Sequence, residues 1–201
     1  MTTIASALLI CLPGLSTPAL KLRVDIAIEG TAPPPRFLAA AIEEAADIWA
    51  AYGVKIQAPD AHDAGHDGAV RLVVKVAPSA NKRTQPGALG SIVFTGDAPE
   101  PTIELYPAAA SALIAAVAFN RREDGWPPSM QDRILARVLG RALAHEVGHF
   151  LLRSKNHSRE GLMRAEHGGA NLMAPDHRAF SLSADDVRRF HAVLSAPPAK
   201  G

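Results

Sequence analysis

The pentapeptide His145-Glu146-Val147-Gly148-His149 sets two imidazoles at i and i+4 with a carboxylate beside the first. On a helix, residues four apart share a face, so two ring nitrogens can converge on one metal ion. Glu146 follows the first histidine and can reach a water on the metal rather than the metal itself. Zinc (Zn2+) would lower the pKa of such a water toward ~7. Glu146 could then take the proton as hydroxide attacks a carbonyl. The chemistry read from these residues is zinc-dependent hydrolysis of peptide bonds, with Glu146 catalytic and His145 and His149 as metal ligands.

The flanking residues must build a helix for that geometry to exist. Ile134, Val138, Ala142, His145, His149 and Leu152 recur in steps of three and four, which puts both histidines on the apolar side of one long helix. Two polar rings and a carboxylate on a core-facing stripe are costly unless a metal or hydrogen-bond partners satisfy them. Ser129-Met130-Gln131-Asp132 is expected to cap the start, with Pro127 and Pro128 ahead of it. Arg133, Arg137 and Arg141 fall on another face and read as a solvated stripe.

Catalytic zinc usually takes three protein ligands and keeps one position open. His157 is the nearest candidate for the third, in a polar stretch where the helix should end. With no glycine between His149 and His157, Asn156 is the expected left-handed residue of the turn. Glu160 and Glu166 are rival ligands, and His167, Asp176 and His177 are further ones. The segment His157-Ser158 followed by Gly161-Leu162-Met163 resembles the metzincin group of zinc peptidases. That resemblance implies a third histidine after the helix and a methionine turn beneath the metal. Met163 is the expected turn residue, with Met173 as competitor. The chain departs from the usual metzincin spacing, since Leu152 and Lys155 stand where a glycine and the third histidine would be. His157 comes two residues late, so the helix must run on or the connection must loop out. From about Ala142 to Phe190 the chain is also similar to a group of small, poorly characterised bacterial proteins with a zincin-type core.

The rest of the chain must supply a scaffold. At 201 residues, 48% hydrophobic, it can bury one good core. Lys21–Ile28 alternates like a half-buried strand, and Phe37–Tyr52 carries an amphipathic helical stripe. Strands are expected at Val54–Ile56, Ala69–Val76, Leu89–Thr95 and Thr102–Tyr106, the last two separated by a turn-rich Gly96–Pro101. A helix follows over Ala108–Phe119, then the metal helix, a long irregular segment, and a final helix capped by Ser183-Ala184-Asp185-Asp186. This order predicts an α+β, zincin-like single domain over 21–201, with a mixed twisted sheet above the metal helix and a C-terminal helix. The resemblance also implies an edge strand that aligns an extended substrate by backbone pairing. Thr102–Tyr106 is the expected edge.

Net charge is +1, with 21 basic and 20 acidic residues, so no basic field for nucleic acid stands out. The expected partner is a peptide or protein substrate, and the expected state is a monomer. Cys11 is the single cysteine, which excludes an internal disulfide framework. Ile4–Leu12 is a short apolar run followed by small residues, so 1–20 resembles a signal or leader segment without its basic start. Export and a cytoplasmic location both stay open, and the run is too short to span a membrane. His62 and His66 fall in a glycine- and aspartate-rich loop and read as solvated. Arg188-Arg189 reads as surface. Tyr106, Arg164 and His167 are candidate donors to an oxyanion. Two other functions fit the same residues. One is a non-catalytic protein in which zinc closed by His167 or Glu166 acts as a scaffold. The other is a zinc hydrolase of non-peptide amides or esters.

Overall fold

The computed structural model describes residues 22–29, 36–58, 70–78, 87–121 and 126–196. The leader-like segment 1–20, Cys11 and the His62/His66 loop lie outside the described residues.

Five strands form one mixed sheet, in the order β2-β1-β3-β5-β4. They are β1 (Leu22–Glu29), β2 (Val54–Gln57), β3 (Val70–Val76), β4 (Gly90–Thr95) and β5 (Ala98–Leu105). The pairs β1–β2, β1–β3 and β3–β5 are parallel, and β4–β5 is antiparallel. Parallel strands must be covered, and Val24, Ile26, Leu72, Val74, Ile103 and Leu105 are fully buried. The helices are α1 (Arg36–Ala50), α2 (Pro107–Arg121), α3 (Pro128–Leu151), α4 (Gly169–Met173) and α5 (Ala184–Ser195). No helix among the described residues is long and apolar enough to cross a membrane.

The expected edge strand is wrong. Thr102–Leu105 pairs with β3 on one side, while Ile103 to Leu105 also face β4, so β5 is interior and β4 is the edge. The turn is also shorter than expected. Gly96, at φ 60°, and Asp97 alone connect Thr95 to Ala98, and β5 runs through Pro99 and Pro101. Both prolines precede Thr102, where the β3 pairing begins, so neither is asked to donate to two neighbours.

Helix α1 buries Leu38, Ala41, Ile42, Ala45, Ile48 and Trp49, the predicted stripe, and packs along α3. The two helices approach closely because Gly140 has no side chain. A Cβ there would sit 2.6 Å from the Ala41 carbonyl oxygen. Trp49 Nε1 donates to the Ala144 carbonyl at 2.9 Å, which fixes α3 one residue before His145. The other side of α3 meets β4 and β5.

Two expectations about α3 and one about its surroundings are corrected. Its N-cap is Pro127, with no side-chain capping bond, and Pro128 occupies the first turn. Proline's fixed φ suits that position and its missing N–H costs nothing there, so the helix starts before Ser129. Arg141 is not solvated but 1% exposed. Its Nε donates to Glu44 at 2.8 Å, Nη2 to the carbonyls of Ala174 and Asp176 at 2.8 Å each, and Nη1 to that of Asn171. Arg137 donates to the Met173 carbonyl at 3.0 Å, leaving Arg133 as the exposed member. The segment expected to be irregular contains α4, which these arginines hold.

Candidate metal centre

His145, His149 and His157 lie close enough to hold one metal ion. One nitrogen of each falls within 4.8 Å of the others. The Nε2 atoms of His149 and His145 are 3.0 Å apart, and those of His149 and His157 are 3.3 Å apart.

Two rings are aimed by the backbone. His145 Nδ1 lies 2.8 Å from the Leu162 carbonyl oxygen, and His149 Nδ1 lies 2.6 Å from that of Ser154. A carbonyl only accepts, so each Nδ1 carries the proton and each Nε2 is left with a lone pair. Two lone pairs facing each other at 3.0 Å repel, and a shared cation removes the conflict. The donor set fits a metal.

The route from α3 to His157 differs from expectation. The helix ends at Leu151 and Arg153, not Asn156, adopts the left-handed conformation, at φ 47°. That reversal brings Ser154 N–H to the His149 carbonyl at 3.2 Å, so the Ser154 carbonyl can face the His149 ring. The connection therefore loops out, and the late third histidine still arrives beside the first two. His157 is exposed, while His149 is buried and His145 half-buried.

The turn at Met163 packs against α3. Ser158 N–H donates to the Met163 carbonyl at 2.8 Å, and Arg164 N–H to that of Gly161 at 3.1 Å. Gly161 has φ 72°, and a Cβ there would collide with the Ser181 carbonyl. Met163 is buried, and its Sδ fills the space left by the missing side chain of Gly148, between the two helical histidines. Met173 is buried at the end of α4 and does not share that position.

Glu146 is 8% exposed. Burial pushes its carboxyl up to about 8, while the Ile92 backbone N–H of β4 bonds to it and pulls it back. It sits with the histidines in a cavity of about 590 Å³ lined by Gly90, Ser91, Ile92 and Phe94 of β4 and by Leu113, Leu172 and Phe180. Gly90 lets the strand close over the carboxylate, since a Cβ there would lie 3.3 Å from Glu146 Cγ.

Of the rival ligands, Glu166 and His167 line the cavity outside the histidine group, and Glu160 is exposed. His177 is turned away, its Nε2 3.1 Å from Glu44. The Asp176 carboxylate accepts from the Arg178 backbone. Arg164 and His167 line the cavity, whereas Tyr106 is fully buried and its hydroxyl donates to Glu104 at 2.8 Å and meets Ser91 at 2.7 Å. Tyr106 is therefore withdrawn as an oxyanion donor. No family model, curated protein or solved structure matches this chain.

Desolvation holds His145 down at about 3 and also lowers His149 and His157. Unfolded histidines bind protons below 6.5, whereas folded His145 does not until about 3. The metal-free protein should therefore lose stability as pH falls through that window, by up to about 1.4 kcal/mol per pH unit for His145. Glu146 acts oppositely between 4.5 and 8, where the folded chain holds a proton the unfolded chain has released. Below 6.5 the lowered His145 offsets the carboxyl and the lowered His149 and His157 tip the balance, while above it the raised Glu146 carboxyl remains. Urea midpoints of chelator-treated protein should peak near pH 6.5. A midpoint rising steadily from pH 6.5 to 8 would contradict the burial of Glu146.

Proposed function

We propose that this chain is a zinc-dependent metallopeptidase of metzincin-like, zincin-type design. The observation that carries the reading is the convergence of three histidine nitrogens and one buried, non-ligating carboxylate on a single cavity beneath an edge strand. His145, His149 and His157 would hold the ion. Tetrahedral zinc with nitrogen ligands at about 2.0–2.1 Å separates its donors by about 3.3–3.4 Å, close to the 3.0 and 3.3 Å from His149 Nε2 to its two neighbours. When bound, zinc supplies a Lewis acid that polarises a carbonyl and acidifies water.

The chain's own groups supply the rest. A Glu146 carboxylate oxygen accepts the proton of the attacking water and returns it to the leaving amine. The Ile92 N–H fixes the orientation of that carboxylate. Among the described residues β4 is the edge of the sheet, so an extended peptide could add beside it as a further strand. Arg164 and His167 line the cavity and are the candidates to donate to the developing oxyanion. Among the described residues no fourth ligand joins the histidines, which favours an open, catalytic site over a closed scaffold.

Purified protein is expected to carry one zinc per chain and to cleave members of a broad peptide library. Dialysis against phenanthroline should abolish cleavage, and one equivalent of zinc should restore it. Absence of stoichiometric metal sinks the reading at its root. A fully zinc-loaded protein that cleaves no peptide but hydrolyses simple amides or esters moves it to the non-peptide class.

A further inference from the structure

The backbone carbonyls of Leu162 and Ser154 aim two of the three metal-facing rings, but His157 has no such partner among the described residues. Its place depends on the loop that carries it. That loop is gripped from outside by α5. Asp186, 6% exposed, accepts from the Ser158 hydroxyl, which lies 2.8 Å from Oδ1 and 2.7 Å from Oδ2. The Ser183 hydroxyl donates to Oδ2 at 2.6 Å and, as N-cap, accepts from the Asp186 N–H at 3.2 Å. Three residues on, one turn along the same helix, Arg189 Nη1 donates to Ser154 Oγ at 2.6 Å. Ser154 is the residue whose carbonyl aims His149, and its Oγ also accepts from Asn156 N–H at 3.2 Å.

Two side chains of α5 thus hold the 153–158 loop at both ends. A helix-capping role for Asp186 needs only the bonds to Ser183. It does not require a second hydroxyl, from the residue next to His157, to share the same buried carboxylate. Nor does a solvated Arg189 need to reach the loop. Both contacts coincide with the departure from metzincin spacing, where the longer connection has more freedom to lose.

We propose that Asp186, through Ser158, and Arg189, through Ser154, are positioning residues that preorganise His157 and His149 for metal. The proposal rests on the three-histidine centre and concerns binding of the ion. Groups of this kind typically change metal affinity about 10–100-fold when removed.

The test is zinc affinity, by competition with a chromophoric chelator, and the visible spectrum of the cobalt-substituted protein. Wild type is compared with Ser158→Ala, Ser183→Ala, Asp186→Asn and each combined with His157→Ala. Ser158→Ala should weaken zinc binding about 10–100-fold with little change in the metal-free melting temperature, and should alter the cobalt spectrum. Ser183→Ala, which removes the cap, should lower the melting temperature and spare affinity. In the His157→Ala background, Asp186→Asn should cost no further affinity, since the ligand it positions is gone. An unchanged affinity in Ser158→Ala, or an Asp186→Asn loss that persists without His157, overturns the proposal while leaving the metal centre standing. A wild type that binds no zinc removes the centre itself.

Discussion

Glu146→Gln should keep its metal and lose about a hundred- to ten-thousand-fold in peptide hydrolysis. The amide has nearly the same shape as the carboxyl and keeps an oxygen for the Ile92 N–H, so β4 need not move. Glu146 is not among the three clustered histidines, so zinc stoichiometry should stay at one. What disappears is the group able to take and return a proton. Because burial disfavours the charged carboxylate, the neutral amide should also cost little stability. In the metal-free variant the decline in stability between pH 6.5 and 8 should vanish. The measurements are kcat on a cleaved peptide, metal content, and urea midpoints across that range. Hydrolysis within a few-fold of wild type, with zinc intact, would remove Glu146 from the chemistry.

Arg141→Met should destabilise the fold by about 3–5 kcal/mol, the range for breaking a buried ion pair from one side. For a domain typically stable by about 5–15 kcal/mol, that is a large share. Glu44 would lose its guanidinium, and the carbonyls of Asn171, Ala174 and Asp176 would lose a donor together. The stacking of the guanidinium on Phe180, 4.5 Å from its centroid, would go as well. Arg141→Lys should recover little, since one ammonium cannot match a planar fork that serves four acceptors. Leu172 lies in the held segment and lines the cavity, so any surviving activity should show a raised KM. A loss below about 1 kcal/mol in urea denaturation would mean that Glu44 is compensated without Arg141.

The two helical histidines of the cluster were legible because their spacing coincides with an apolar stripe that alone predicts a helix. Val138, His145 and His149 report the same face. The third histidine of the cluster was legible by type but not by path. Nothing in Arg153 announces a left-handed residue, and Asn156 was the better choice on propensity. Arg141 was misread for a specific reason. Arginines at i, i+4 spacing look solvated unless one knows what covers them, and α4 is only five residues long, too short to leave a periodic signal. The edge of the sheet was equally hidden, since strand order depends on long-range pairing that alternation within one strand does not encode. Asp186 was recognised as part of a cap, and that satisfactory local explanation concealed its second bond.

The three clustered histidines and the carbonyls that aim two of them all belong to the end of α3 and the turns directly after it, whereas the sheet is assembled from strands far apart in sequence. Closing short loops costs little chain entropy, while parallel pairing must wait for whole crossovers to come together. During refolding, the histidine-bearing segment can therefore close before the strand that roofs it has docked. Zinc present from the outset would accelerate that early local step, leaving the slow pairing of β1, β3 and β5 to set the overall rate.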